Sequence, residues 1–188
     1  SGQHFLANGR IADRIADFAG ITPDDRVLEI GPGNGILTEC LLARTPHVTA
    51  VEIDRDLYPL LEERFGGRGS FRLVRGDILT TDLAELFHDA PGRIKVVSNL
   101  PYNISSPVVE LLIRHRSRVS LAVLMVQREV ARRFAAAPGS REYGLLSLNL
   151  GLWTRVRVLF DVRPGSFSPP PAVMSSVVYV EFDAGLCH

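Results

Sequence analysis

Short apolar runs alternate with amphipathic stretches along this chain, and that alternation limits the folds open to it. Strand-like runs occupy 26–30, 48–53, 71–75, 94–98, 120–126, 154–161 and 176–182. Helical patterns at 9–19, 36–43, 57–64, 82–87, 107–114, 129–135 and 145–152 fall around and between them. Strand–helix repetition of this kind builds a mostly parallel sheet, because each crossover helix must lie on a face of the sheet. The expectation is an α/β fold: seven strands in one sheet with helices on both faces.

A chain of 188 residues suffices for one such domain with a real core. Apolar residues at 46% against 22% charged describe a globular protein, not a disordered one. No apolar run approaches the roughly 18 residues that span a bilayer, so no membrane partner is expected. The longest, 119–126, reads as a buried strand, and the opening lacks a signal-peptide pattern. Cys40 and Cys187 make neither a disulfide framework nor a zinc site, which fits a reducing cytoplasm and no metal. Twenty-one basic residues balance 21 acidic ones. That argues against a free-standing nucleic-acid binder but leaves room for an enzyme with a local basic patch.

The strongest local signal is Val27-Leu28-Glu29-Ile30-Gly31-Pro32-Gly33-Asn34-Gly35, a strand running into a glycine loop with a helix after it. Gly31 and Gly33 let the backbone approach a ligand closely, and ligands of doubly wound sheets bind at the carboxyl ends of the strands. The spacing G-x-G-x-G lacks the extension with which dinucleotide binders cradle a pyrophosphate. Glu52 ends the second strand, followed by Ile53, 21 residues after Gly31. An acid there accepts from both ribose hydroxyls, or it is a surface acid at a strand end. Asp54 reads as a local partner for the next helix. Asp77, followed by Ile78, closes the third strand and suits an adenine amino group, unless it only caps the following helix. Together the three stations describe a nucleoside site with no phosphate requirement.

Asn99-Leu100-Pro101-Tyr102 follows the fourth strand. Methyltransferases acting on planar nitrogens use the pattern Asn/Asp-Pro/Leu-Pro-Tyr/Phe. The exocyclic nitrogen of adenine is a poor nucleophile because its lone pair is delocalised into the ring. The Asn99 amide oxygen and the Leu100 carbonyl are suited to accept from its two hydrogens and draw it towards tetrahedral geometry. Pro101 stiffens the turn. Tyr102 offers a ring on which the base stacks, so the ring matters and the hydroxyl does not; such stacking is worth ~1–3 kcal/mol. No general base is needed before transfer, and catalysis is mostly positioning and electrostatics. The bland alternative is an Asx-type turn between strand and helix.

Further segments carry a family resemblance. Gly2-Gln3-His4-Phe5-Leu6, Glu29–Gly35, Asn99–Ser105, Met125–Ala131, Tyr143-Gly144-Leu145-Leu146-Ser147 and the proline-rich Phe167–Ser175 occur in the order in which they occur in small-subunit ribosomal RNA adenine dimethyltransferases. The chain resembles that family over almost its whole length. The resemblance implies a Rossmann-like class I methyltransferase fold whose last strand runs antiparallel, with S-adenosyl-L-methionine as cofactor. It implies that Gln3, His4 and Leu6 line the methionine end and that Gly31 and Gly33 approach the cofactor. Glu52 then holds the ribose, Asp77 the adenine and Asn99 the reacting edge, with Ile53, Ile78 and Asn99 among the residues that bind the cofactor. Phe167 presses on the target base; the other reading of Phe167 is a core aromatic. Family members carry a helical RNA-contact domain after the last strand, whereas this chain ends at His188 and starts at Ser1, just before the Gln3 motif. The expectation is a trimmed catalytic core over 1–188.

Arginines cluster at Arg114, Arg116 and Arg118, and again at Arg128, Arg132, Arg133 and Arg141. Near the mouth of a site they would meet phosphates; otherwise they are solvated helix faces. Arg128 and Arg132, one helical turn apart, are the favoured RNA contacts. The resemblance thus implies a monomeric cytoplasmic enzyme that dimethylates N6 of two adjacent adenines near the 3′ end of small-subunit rRNA, in the assembling subunit. The alternatives are a macrolide-resistance-type methylase of large-subunit rRNA and a non-catalytic ribosome-assembly factor.

Overall fold

The computed structural model describes residues 3–183; Gly2 and Cys187 lie outside them. In chain order the elements are β1 (Phe5–Leu6), α1 (Gly9–Phe18), β2 (Val27–Ile30), α2 (Ile36–Leu42), β3 (Val48–Glu52), α3 (Tyr58–Phe65) and β4 (Arg72–Arg75). They continue with α4 (Leu83–Leu86), β5 (Ile94–Asn99), α5 (Ser105–Arg114), β6 (Val119–Gln127), α6 (Arg128–Phe134), α7 (Leu145–Trp153), β7 (Thr154–Val162), β8 (Phe167–Ser168) and β9 (Ser175–Phe182).

One sheet has the order β4-β3-β2-β5-β6-β9-β7. The first five strands are mutually parallel. Only β9 runs against its neighbours, inserted between β6 and β7. The central strands read as unbroken apolar runs because both faces are covered. Successive side chains of β6 go to opposite faces: Ala122, Leu124 and Val126 join one core cluster, Val123 and Met125 the other. The first cluster takes Leu83 of α4, Leu112 of α5, Phe134 of α6 and Leu150 of α7. The second takes Ile15 of α1 and Leu41 of α2. Helix α1 starts at Asn8, whose side-chain oxygen accepts from the Arg10 and Ile11 N–H groups.

A second, two-stranded sheet pairs β1 with β8 antiparallel, Phe5 opposite Ser168 and Leu6 opposite Phe167. It ties the start of the described chain to the proline-rich segment, and both arrive at the carboxyl edge of the main sheet.

Candidate active site

At that edge β2 and β5 pair only through Val27↔Lys95 and Leu28↔Val96. Farther along, the Ser98 hydroxyl accepts from the Ile30 N–H at 2.7 Å and stands in for the missing ladder bond. The chain turns to β3 and β4 on one side of this seam and to β6 on the other, which is where an open α/β sheet leaves a ligand crevice. A cavity of about 640 Å³ opens here, lined by the 3–6 segment, the glycine loop and the ends of β3, β4 and β5.

The glycine loop forms the floor. Gly31 and Gly33 have φ of 67° and 59°, a region that side chains disfavour. A Cβ on Gly33 would stand 2.8 Å from the Phe5 ring, and one on Gly31 3.3 Å from the Pro101 ring. The loop is therefore held between the β1 segment and the Asn99–Tyr102 turn, which requires small residues at both points. Asn34 locks the first contact: its side-chain amide donates to the Leu6 carbonyl at 3.3 Å while its oxygen accepts from the Ile36 N–H.

Glu52 is 3% exposed, and its two carboxylate oxygens accept from the Gly33 N–H at 3.2 Å and the Asp54 N–H at 3.0 Å. Burial pushes its carboxyl up while those N–H donors hold it down; the balance lies above the ordinary range. It is not a surface acid, and each oxygen retains a lone pair for a hydroxyl. Asp54 caps the following turn by accepting from the Asp56 N–H. Asp77 serves both readings of the sequence: Oδ1 accepts from the Leu79 N–H at 2.9 Å, and the residue also lines the cavity. Gln3 lines it too, with a buried Oε1 that has no partner among the described residues. An oxygen in that state calls for a donor from a ligand.

Asn99, Leu100, Pro101 and Tyr102 border the same cavity. Leu100 anchors the turn with a buried side chain and an N–H that donates to the Met125 carbonyl at 3.1 Å. The Asn99 amide makes no hydrogen bond among the described residues, so it is available to a substrate. His4 stacks on Tyr102, ring centroids 5.7 Å apart. The structure thus brings together Gln3, His4, Leu6, Gly31, Gly33, Glu52, Ile53, Asp77, Ile78 and the Asn99–Tyr102 turn.

Phe167 is not among them. It is 4% exposed and packs in the core cluster with Leu6 and Val177, because pairing of β8 with β1 carries its side chain into the interior. This packing is that of a core aromatic, the second of the two readings that the sequence allows for Phe167. The arginines at 114–118 are also placed elsewhere: they precede β6, at the amino edge of the parallel strands, and Arg116 lies 4.0 Å over the Trp153 ring. Arg128 and Arg132 line a separate cavity of about 560 Å³ with Arg133 and Arg141. That cavity starts at Gln127, two residues past Met125, the β6 partner of Asn99, so it adjoins the site.

Sequence reasoning passed over Glu29, which is 1% exposed yet lines the cavity. Burial pushes its carboxyl up to about 8, against a hydrogen bond from the Thr38 hydroxyl and with the Glu52 charge adding to the rise. The available signal was an acid in an otherwise apolar strand, Val27-Leu28-Glu29-Ile30. Among the described residues no cluster suits a metal, and no helix is long and apolar enough to cross a membrane.

The sequence and the fold are shared with known proteins. The chain is 47% identical over 180 residues to ribosomal RNA small subunit methyltransferase A of Magnetococcus marinus, covering 96% of this chain and 64% of the relative. It is 46% identical over 178 residues to the protein of that name from Geobacter metallireducens, covering 94% and 65%. The chain thus spans slightly less than two thirds of the length of these relatives. Among solved structures, a dimethyladenosine transferase from Plasmodium falciparum superposes with a TM-score of 0.85 at 35% identity, covering 96% of this chain and 64% of that one. The 23S rRNA methyltransferase ErmE superposes at 0.84 and 29%, covering 96% and 70%. The fold is that of the Rossmann-like class I methyltransferases. Residues 1–185 match the family described as ribosomal RNA adenine dimethylase, and the chain belongs to that family.

Proposed function

We propose that the whole protein transfers methyl groups from S-adenosyl-L-methionine to N6 of two adjacent adenines near the 3′ end of small-subunit rRNA, giving N6,N6-dimethyladenine. The observation that carries this reading is the contact between Gly31 and Pro101: the cofactor loop and the Asn99–Tyr102 turn share one wall. A methyl donor and an amino acceptor would therefore meet in one cavity. Small-subunit rRNA is favoured over large because the relatives at 43–47% identity bear the small-subunit name, whereas the 23S enzyme stands at 29%. The same reading places the protein in the cytoplasm, acting as a monomer on the assembling subunit.

The residues fit the cofactor. Glu52 would take the ribose hydroxyls, the free oxygen of Asp77 the adenine amino group, and Gln3 Oε1 the ammonium of the methionine end, while Ile53 and Ile78 flank the base. When bound, the cofactor supplies an electrophilic methyl group on sulfur. The protein's part is to position the acceptor: the Asn99 amide oxygen and Leu100 carbonyl draw the N6 hydrogens, and the Tyr102 ring steadies the base. The methylated nitrogen loses its proton without help from a strong base. Arg128 and Arg132 lie beside this mouth, where they would meet phosphates. Mass spectrometry of rRNA nucleosides, after incubating unmodified small subunits with the full-length protein and isotope-labelled cofactor, tests the proposal. Dimethyladenine is expected; its absence, or label confined to the large subunit, overturns the reading.

A further inference from the structure

The Tyr102 hydroxyl has a partner that a stacking role does not require. It lies 3.0 Å from the Ser175 Oγ, and Ser175 is 0% exposed. Ser175 makes no other side-chain hydrogen bond among the described residues, so its buried hydroxyl depends on Tyr102. It is also among the most firmly placed residues at this edge. As the first residue of β9 it pairs with Gln127 of β6 on one side and Val162 of β7 on the other. His4 fixes the ring from a second direction. It stacks on the ring at 29° between planes, and its Nδ1–H donates to the Pro169 carbonyl at 2.8 Å, because a carbonyl can only accept.

Tyr102 is otherwise poorly held. It stands in a one-turn 3-10 segment, Tyr102–Ile104, whose residues are not buried. A ring there would turn about its side-chain bonds unless something outside the segment stopped it. Resting on the proposed activity, we propose that Ser175 is a positioning residue: with His4 it clamps the Tyr102 ring in the orientation offered to the target base. The phenol hydroxyl is thereby a tether to the sheet and takes no part in proton transfer. The clamp spans both halves of the site, since His4 lines the cofactor cavity while Ser175 belongs to the strand beside the arginine cavity.

The decisive measurement combines three variants with a readout that needs no substrate. Ser175→Ala, Tyr102→Phe and the double variant would be made in the full-length protein, labelled with 3-fluorotyrosine where Tyr102 is retained. The Tyr102 fluorine resonance, identified by its loss in Tyr102→Phe, should shift or broaden in Ser175→Ala as the ring is released. Single-turnover methyl transfer to unmodified small subunits should slow about tenfold in Ser175→Ala, the scale of a small loss of orientation. Calorimetric affinity for S-adenosylmethionine should stay within about twofold, because no group at the cofactor is removed. The double variant should be no slower than the slower single one, since both changes remove one hydrogen bond. An unmoved fluorine resonance overturns the clamp, as does a loss of cofactor affinity matching the loss of rate, or single effects that multiply. If the unaltered protein transfers no methyl group, the activity reading fails instead, and the fluorine resonance still decides the clamp.

Discussion

Two buried carboxylates carry most of what can be tested at the residue scale. Glu52 holds two N–H groups and faces the cavity, so Glu52→Gln, which keeps one acceptor, is cleaner than removal of the side chain. Calorimetry should show S-adenosylmethionine binding weakened by about 1–3 kcal/mol in a folded variant; unchanged affinity would remove Glu52 from the site. Glu29 gives a pH test. Its carboxyl is pushed from 4.5 to about 8 in the folded protein, so the folded state keeps a proton that the unfolded chain has lost. The associated stability is complete below about pH 4.5 and falls as pH rises through about 8. Glu29→Gln cannot ionise. Urea midpoints measured at pH 5.5 and 8.5 should therefore move in favour of the variant on going to the higher pH. A parallel pH dependence in the two proteins would show that Glu29 does not titrate as described.

Elements explain why some of this was legible in the sequence and some was not. The seven main strands and the helices between them appear within a residue or two of their expected positions, because burial on both faces leaves unbroken apolar runs such as Val119–Gln127. The antiparallel direction of β9 came from family resemblance and not from periodicity. The ribbon of β1 and β8 escaped notice since two-residue strands have no period to read. That omission hid the burial of Phe167, whose ring the ribbon turns inward. The ribbon also explains a glycine. Gly33→Ala places a methyl group 2.8 Å from the Phe5 ring at a φ of 59°, so either the loop or the ribbon must move. Cofactor affinity should fall about tenfold or more, with little change in thermal stability because the contact lies outside the main core. Wild-type affinity in Gly33→Ala would mean that the β1 segment does not close on the cofactor. On the proposed function, the turn after β5 should separate binding from chemistry. Asn99→Ala should lower single-turnover transfer on the order of 10² to 10³ with near-normal cofactor affinity, and Asn99→Asp, which keeps an acceptor, should retain part of the rate.

At the scale of the whole molecule the puzzle is charge. A chain with 21 basic and 21 acidic residues cannot draw in RNA through its net charge, so any attraction this chain lends to the proposed RNA contact must come from where its arginines stand. One cavity beside the Asn99–Tyr102 turn gathers Arg128, Arg132, Arg133 and Arg141, and they are not equivalent. Arg128 faces Asp161 at 3.8 Å, and Arg133 faces Glu129 at 3.9 Å. Arg132 and Arg141 have no ion pair among the described residues. A phosphate that meets a paired arginine must compete with its carboxylate, whereas an unpaired one offers its charge outright. Each phosphate neutralised releases counterions, and the slope of log K against log salt counts them. Arg132→Ala and Arg141→Ala should therefore each weaken binding of an rRNA fragment and reduce the magnitude of that slope by about one. Arg128→Ala should change the slope less, because Asp161 already offsets part of its charge. None of the three should alter S-adenosylmethionine affinity, since the arginines line a different cavity from Glu52 and Asp77. Filter binding of the full-length protein at a series of salt concentrations reads all three slopes. Equal slopes for Arg132→Ala and the unaltered protein would place the RNA backbone on some other face and leave this cavity without a role in recognition.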